Sequence, residues 1–176
     1  VDVERVMHRK VVTATPGMTV AEAASLMVAN AIGGLPVVDA AGNVNVSRLA
    51  TRPHVTAGVG GFVDITARAK NLVFSGYFTA GARIGIADGH VVIEKEGKFP
   101  RFVPEVQHVT FSGKRALERG QHVTFVTERC VIRLLPEGLT VTEIAPGISV
   151  ARAIVGQTAL NLRISPDLHQ MDPRLF

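Results

Sequence analysis

Three β-strand patterns in close succession constrain the fold more than any other part of the chain. They are Val123 to Val126, Cys130 to Leu135 and Leu139 to Ile144, and each is rich in apolar and β-branched residues. Short turns separate them, and the second turn is the Pro-Glu-Gly sequence of residues 136–138. These residues therefore predict a β-sheet in this half of the chain.

Further strands and short helices are predicted around this sheet. Asp88-Gly89 is a two-residue hairpin signal between strand patterns at Arg83 to Ile86 and His90 to Glu94. Phe62, Ile65 and Ala69 recur at helical spacing. The other predicted elements are strands at Leu72 to Phe78 and Val106 to Phe111, a charged helix at Gly113 to Gly120, and a helix from Ser149 to about Leu160. The predicted class is α/β with a mixed sheet.

The first part of the chain predicts a separate strand-helix-strand unit. Val11 to Thr15 is a short strand pattern, and Thr19 with Glu22 has the spacing of a capping box at a helix start. Gly33 and Gly34 end that helix, and Leu35 to Val38 predicts a buried strand.

Composition excludes several classes of protein. No run approaches the ~20 apolar residues that a membrane helix needs, and the first ten residues lack the apolar stretch of a secretory signal. We therefore expect a cytoplasmic protein without a membrane partner. Cys130 is the only cysteine, which excludes an intrachain disulfide and a cysteine zinc cluster, and we expect it to be a buried hydrophobe.

The charge distribution and the histidine and serine patterns exclude further functions. Residues 1–44 carry three basic and four acidic side chains, a net charge of −1, so the total of +4 leaves +5 for the rest. These charges are dispersed, unlike the basic stripes that bind nucleic acid, so no nucleic-acid partner is expected. The six histidines show no metal-binding spacing, and no serine lies in a G-x-S-x-G elbow.

A glycine-rich turn at Gly58, Gly60 and Gly61 is the candidate binding loop. It lacks the spacing of dinucleotide and phosphate loops. Because a helix pattern follows directly, however, its backbone N–H groups suit an anion or an oxyanion. The alternative interpretation is an ordinary tight turn.

The segment of residues 11–44 resembles the opening of a cystathionine-β-synthase-type (CBS) domain. Its sequence is VVTATPGMTVAEAASLMVANAIGGLPVVDAAGNV. Such domains usually work in pairs and bind adenosine nucleotides. The resemblance stops at Val44, before the strand and second helix that would continue the family pattern. We therefore expect a partial CBS-like segment at residues 1–44 and a second domain at residues 45–176.

The later part of the chain resembles the C-terminal part of the homomeric acyl-CoA:acetate or 3-oxoacid coenzyme A transferases, including the propionate type. The segments that carry the resemblance, in order, are GNVNVS, GVGGFVDITARAK, TERCVIRLLPEGLTVTEIAPG and ISPDLHQMD. The resemblance implies a coenzyme A thioester as substrate and no separate cofactor. In that family a glutamate attacks the thioester, but its segment lies upstream of the similar part, so no catalytic residue is assigned here. The glycine loop, Gly58, Gly60 and Gly61, corresponds to a family loop whose amide stabilises an oxyanion.

Glu128 and Glu143 are the acidic residues in the most family-like stretch. A structural role, paired with an arginine such as Arg129 or Arg133, is favoured over a nucleophilic one. The resemblance thus implies part of a short-chain acyl-CoA:carboxylate transferase that is inactive alone, with acyl-CoA and a small carboxylate as ligands. It also implies a homo-oligomer or a complementing transferase half. The alternatives are a non-enzymatic adenosine-nucleotide-sensing module and a fusion fragment without a function of its own.

Overall fold

The computed structural model describes residues 36–48 and 58–176. The chain divides into two compact units, Val1–Gly34 and Leu35–Phe176, and the described residues belong to the second. The predicted strand at Val11 to Thr15, the capping box at Thr19 and the helix that it starts lie outside the described residues.

Eleven strands and two α-helices are present in the described part of the chain. The strands are β1 (Val37–Val38), β2 (Val44–Asn45), β3 (Asn71–Ser75), β4 (Thr79–Ala80), β5 (Arg83–Ala87), β6 (His90–Lys95), β7 (Phe99–Pro100), β8 (His122–Val126), β9 (Cys130–Leu135), β10 (Gly138–Ile144) and β11 (Arg163–Gln170). The helices are α1 (Phe62–Arg68) and α2 (Gly113–Glu118), with a π-helix at Val150–Ile154 and 3-10 turns at Val155–Gln157 and Pro173–Leu175.

A five-stranded mixed sheet with the order β11-β10-β9-β8-β3 organises these elements. β8, β9 and β10 are antiparallel neighbours joined by short turns, whereas β3 pairs with β8, and β11 with β10, in parallel. Parallel neighbours need a long crossover. The connection from β3 to β8 accordingly contains the β5–β6 and β4–β7 pairs and α2.

One face of the sheet forms the core. Phe74, Phe125, Ile132 and Val141 lie in register across four strands, and the last three are almost completely buried. The Phe74 and Phe125 rings stack with centroids 5.4 Å apart. On the opposite face Val73 is 67% exposed. The side-chain alternation of the strands thus separates a buried face from a more open one.

Several sequence predictions are confirmed. The strands at β8, β9 and β10 lie where their patterns predicted, and α1 and α2 begin at Phe62 and Gly113. Asp88 and Gly89 both have positive φ, at 51° and 71°, and join β5 to β6 as the two-residue hairpin signal predicted.

Two predicted elements are wrong, and the strands β2, β4, β7 and β11 were not predicted. Val106 to Phe111 is not a strand; within it, Phe111 forms an isolated bridge to Val44. The helix expected from Ser149 to Leu160 is a π-helix followed by a 3-10 turn that ends at Gln157. β11 was missed because it contains Pro166, yet proline is tolerated there since β11 is an edge strand.

The β1–β2 hairpin is held by a buried carboxylate. Asp39 is 4% exposed, and its Oδ1 accepts hydrogen bonds from the backbone N–H groups of Ala41 and Asn43, both at 3.0 Å. Oδ2 accepts from the Asn43 side chain at 3.0 Å. Asn43 Oδ1 in turn accepts from the backbone N–H of Gly113 at 3.1 Å, which joins the hairpin to α2.

The contact between this hairpin and α2 leaves no space for a side chain at residue 113. A Cβ at Gly113 would lie 2.2 Å from the carbonyl oxygen of Ala41. We expect Gly113→Ala to lower the free energy of unfolding by about 3 kcal/mol, because backbone must move to relieve the clash. Urea denaturation measures this. Gly58→Ala is the matched control, since nothing lies within 4 Å of its Cβ position. Equal stability of the two variants would contradict the packing described.

Candidate functional site

The glycine-rich turn lies at the start of α1, as predicted. Gly58, Gly60 and Gly61 are exposed, and Gly60 has a φ of 51°. The Phe62 N–H donates to the Val59 carbonyl at 3.0 Å and closes the turn. Within the described residues no backbone hydrogen bond uses the N–H of Gly60 or Gly61. These two amides are therefore available to a ligand.

Glu128 is bound through both carboxylate oxygens. Its side chain is 11% exposed, and Oε1 accepts from Nε of Arg129 at 2.8 Å. Oε2 accepts from the backbone N–H of Phe78, also at 2.8 Å. The predicted pairing of Glu128 with Arg129 is confirmed, and the carboxylate holds the segment that leads into β4.

Arg129 is the most completely bonded charged side chain of the described structure. It is fully buried, and its five N–H groups all have acceptors. Besides Glu128, the acceptors are the Ala153 carbonyl at 2.8 Å, Thr79 Oγ1 at 3.1 Å, and the two Glu96 carboxylate oxygens at 3.0 and 2.7 Å. Burial alone lowers the pKa of Arg129, but the hydrogen bonds from Glu96 and Glu128 outweigh it and raise the pKa above its usual value.

This arginine cluster, defined as Arg129 with Glu96, Glu128 and Thr79, joins separate parts of the fold. The Phe78 ring lies 5.3 Å from the guanidinium carbon and covers it. Arg129 was predicted only as a partner of a glutamate. Its contacts with Glu96 and Thr79 were not predicted, because these residues are 33 and 50 positions away along the chain.

Glu143 has a different environment. Its carboxylate lies 4.0 Å from Nε2 of His169 on the neighbouring strand β11. The partner of Glu143 is therefore a histidine, where an arginine was expected. The β10 register shifts between Val141 and Glu143, which places a bulge at this position. Because a bulge re-aims side chains, the pairing of Glu143 could not be read from strand alternation.

Cys130 is buried at the start of β9, as predicted. Desolvation raises its pKa to about 12, with Thr127 Oγ1 at 3.6 Å from the sulfur. A thiol of such high pKa is almost entirely protonated near neutral pH and is a poor nucleophile.

The described histidines form no metal centre. Residues 36–48 and 58–176 contain no group of three or more His, Cys, Asp or Glu side chains that could hold a metal ion.

One histidine contact was not predicted from the sequence: Nδ1 of His108 lies 2.6 Å from Oγ of the buried Ser47. The two residues are 61 positions apart, so no local pattern signals the pair.

Both parts of the chain are similar to known proteins. Residues 3–45 match the family model of the CBS domain. The chain is 45% identical over 149 residues to caffeate CoA-transferase of Acetobacterium woodii, and 43% identical over 152 residues to acetate CoA-transferase YdiF of Escherichia coli O157:H7. These matches cover 83% and 82% of this chain and 28% of each relative.

A solved structure agrees with these matches. The apoenzyme of the acyl-CoA transferase YdiF from Escherichia coli O157:H7 superposes with a TM-score of 0.76 at 42% identity. The superposition covers 80% of this chain and 27% of that chain. A second structure of the same protein, a thioester complex with CoA, matches equally well.

The chain spans little more than a quarter of the length of these relatives. No helix in the described residues is long and apolar enough to cross a membrane. The mixed α/β sheet, the sequence identity and the structural match agree, and the protein therefore combines a segment that matches the CBS domain with a segment that belongs to the coenzyme A transferases.

Proposed function

We propose that the second unit, Leu35–Phe176, is the C-terminal portion of a short-chain acyl-CoA:carboxylate coenzyme A transferase. The observation that carries the proposal is the match at 42% identity to an acyl-CoA transferase solved as a thioester complex with CoA. The proposed ligands are an acyl-CoA thioester and a small carboxylate.

The proposed chemistry is covalent catalysis by a glutamate. Its carboxylate attacks the thioester carbonyl, the C–S bond breaks, and coenzyme A leaves as a thiolate from a mixed anhydride. The thiolate then attacks the glutamyl carbonyl, which releases the donor carboxylate and leaves a glutamyl thioester. An acceptor carboxylate repeats the two steps in reverse.

The glycine turn is the proposed oxyanion site. Each step passes through a tetrahedral intermediate whose negative oxygen needs N–H donors at about 2.7–3.1 Å. The exposed amides of Gly60 and Gly61 have no acceptor among the described residues. Gly58 precedes these amides and is exposed, and the absence of a side chain there leaves the turn open to a ligand.

We propose that residues outside this chain supply the nucleophile. Among the glutamates considered from sequence, Glu128 has both oxygens engaged and is nearly buried. Attack by its carboxylate would break contacts to Arg129 and Phe78. Glu143 lies beside His169 at a bulge on β10. The relatives are more than three times as long as the matched part, so the missing portion can carry the glutamate.

The chain alone is therefore expected to transfer no coenzyme A from acetyl-CoA to isotopically labelled acetate. The physical reason is that an oxyanion site cannot accelerate a reaction that lacks its attacking group. Incubation with acetyl-CoA and borohydride, which reduces a glutamyl thioester, should leave every peptide mass unchanged. A reduced glutamate, at Glu128 or Glu143 in particular, would show that the nucleophile is present.

The match of residues 3–45 to the CBS domain supports a second candidate, an adenosine-nucleotide sensor. Our expectation is that AMP and ATP do not bind, because the family pattern stops at Val44 before its second helix. A ligand at ~100 times its dissociation constant would add ~2.7 kcal/mol of stability. Calorimetric titration and thermal melting test this, and a micromolar isotherm for AMP would favour the sensor over the transferase.

A further inference from the structure

An open cleft of about 350 Å³ lies between α1 and α2. Val63 and Ala67 of α1 form one wall, and Val109 with Arg115 and Arg119 forms the other. The volume falls within the usual range for small-molecule sites. Val63 and Val109 are 44% and 50% exposed, so the cleft offers apolar surface to a ligand.

The charged residues of the cleft are all basic. Arg115 and Arg119 are four residues apart, so the two guanidinium groups are neighbours on one helical face and repel each other in the free protein. The Arg115 guanidinium has no hydrogen bond or ion pair within the described residues. Arg119 donates to the Ala67 carbonyl at 3.5 Å, a long contact across the cleft. An anion between the arginines would relieve their repulsion.

The other polar groups of the cleft are already bonded and fix its walls. Gln121 donates to the carbonyls of Thr66 and Ala69 at 2.9 and 2.6 Å and ties β8 to α1. The Thr66 hydroxyl donates to the Phe62 carbonyl at 2.8 Å. The recognition groups that remain are therefore two guanidinium forks beside an apolar wall.

We infer that this cleft binds the phosphate-bearing end of coenzyme A, an inference that rests on the proposed function. A guanidinium matches a phosphate through two parallel N–H···O contacts. The valine side chains can cover the less polar part of the same ligand. Val63 lies two residues after Gly61, so the cleft and the proposed oxyanion site share the first turn of α1. One coenzyme A thioester with a folded pantetheine arm can therefore reach both.

The test compares two double variants of the full chain by calorimetry with coenzyme A. R115Q/R119Q removes the charges of the cleft, and R133Q/R163Q removes two exposed charges from the sheet. Both double variants change the net charge by the same amount. We expect R115Q/R119Q to weaken coenzyme A binding about 100-fold, roughly tenfold for each lost charge-assisted contact. R133Q/R163Q should bind within about twofold of the unmodified chain.

Three further probes locate the recognised group. R115Q/R119Q should weaken the binding of adenosine 3′,5′-bisphosphate as much as that of coenzyme A. It should leave the affinity for pantetheine, which carries no phosphate, unchanged. Equal weakening by both double variants, or no binding of coenzyme A and the bisphosphate to the unmodified chain, would overturn the inference. Inorganic phosphate bound as tightly as the bisphosphate would show an adventitious anion site and overturn it as well.

A transferase assay separates failure of this inference from failure of the proposed function. R115Q/R119Q would be introduced into a chimera in which the matched part of this chain replaces the matched residues of acetate CoA-transferase YdiF. The KM of this chimera for the acyl-CoA donor would then be measured. The inference predicts a higher KM with little change in kcat. An active chimera with an unchanged KM would leave the transferase function standing and refute the cleft.

Discussion

Arg129→Met is expected to lower the free energy of unfolding by about 3–5 kcal/mol. The substitution keeps much of the apolar stem but leaves Glu96 and Glu128 without their cation. It also removes the donors to Thr79 and the Ala153 carbonyl, which the buried guanidinium supplies. Glu96 is 37% exposed and can recover some hydration, so the lower end of this range is expected. Urea denaturation followed by circular dichroism measures the loss.

Two control variants separate the arginine cluster from the general effect of removing an arginine in or next to β9. Arg133 lies in β9, four residues after Arg129, and is exposed, so Arg133→Met should change the free energy of unfolding by no more than about 0.5 kcal/mol. Arg129→Lys keeps the charge but has only three donors in place of five, so an intermediate loss is expected. If Arg129→Met were as stable as Arg133→Met, the cluster would not hold the fold together.

The sheet was predictable where the signals were local. The strands from β8 to β10 combine strand-forming residues with turn residues, and Asp88-Gly89 fixes its hairpin through two positive φ angles. Val106 to Phe111 has similar composition but pairs only at Phe111. Its backbone lies beside the β1–β2 hairpin rather than along a full strand, and such a tertiary contact has no local signal.

The candidate site was predictable only in part. The glycine turn was recognised because glycines directly preceded a helical pattern, and the helix does begin at Phe62. The arginine cluster and the cleft depend on residues that folding brings together. Arg115 and Arg119 belong to the charged helix predicted at Gly113 to Gly120, and only the packing of α2 near α1 gives them a cleft.

The second large effect is expected in a chimera with a known transferase. In it, the matched part of this chain replaces the 152 matched residues of acetate CoA-transferase YdiF, to which it is 43% identical. YdiF truncated by the same residues should be inactive, since it would lack the proposed oxyanion turn. The chimera should transfer coenzyme A from propionyl-CoA to labelled acetate within about 100-fold of intact YdiF, because misplacing a group by about 1 Å costs about that factor.

A matched pair at Gly61 tests the oxyanion turn within this chimera. Gly61 has a φ of −76°, which both alanine and proline adopt, and the nearest atom to its Cβ position is Ile65 Cδ1 at 3.9 Å. Gly61→Ala keeps the N–H and should retain most of the activity. Gly61→Pro removes that donor and should lower kcat about 10²–10³-fold. Equal activities of the two variants would exclude this amide as the donor.

The most direct measurement of the transferase assignment is the initial rate of coenzyme A transfer to labelled acetate by the purified chimera. Its thermal melting would be recorded in parallel to confirm that it folds. Transfer in the chimera, with none in truncated YdiF or in this chain alone, is the predicted result. A chimera that melts cooperatively but transfers no coenzyme A, and forms no glutamyl thioester that borohydride can trap, would contradict the assignment of this segment as a working part of a coenzyme A transferase.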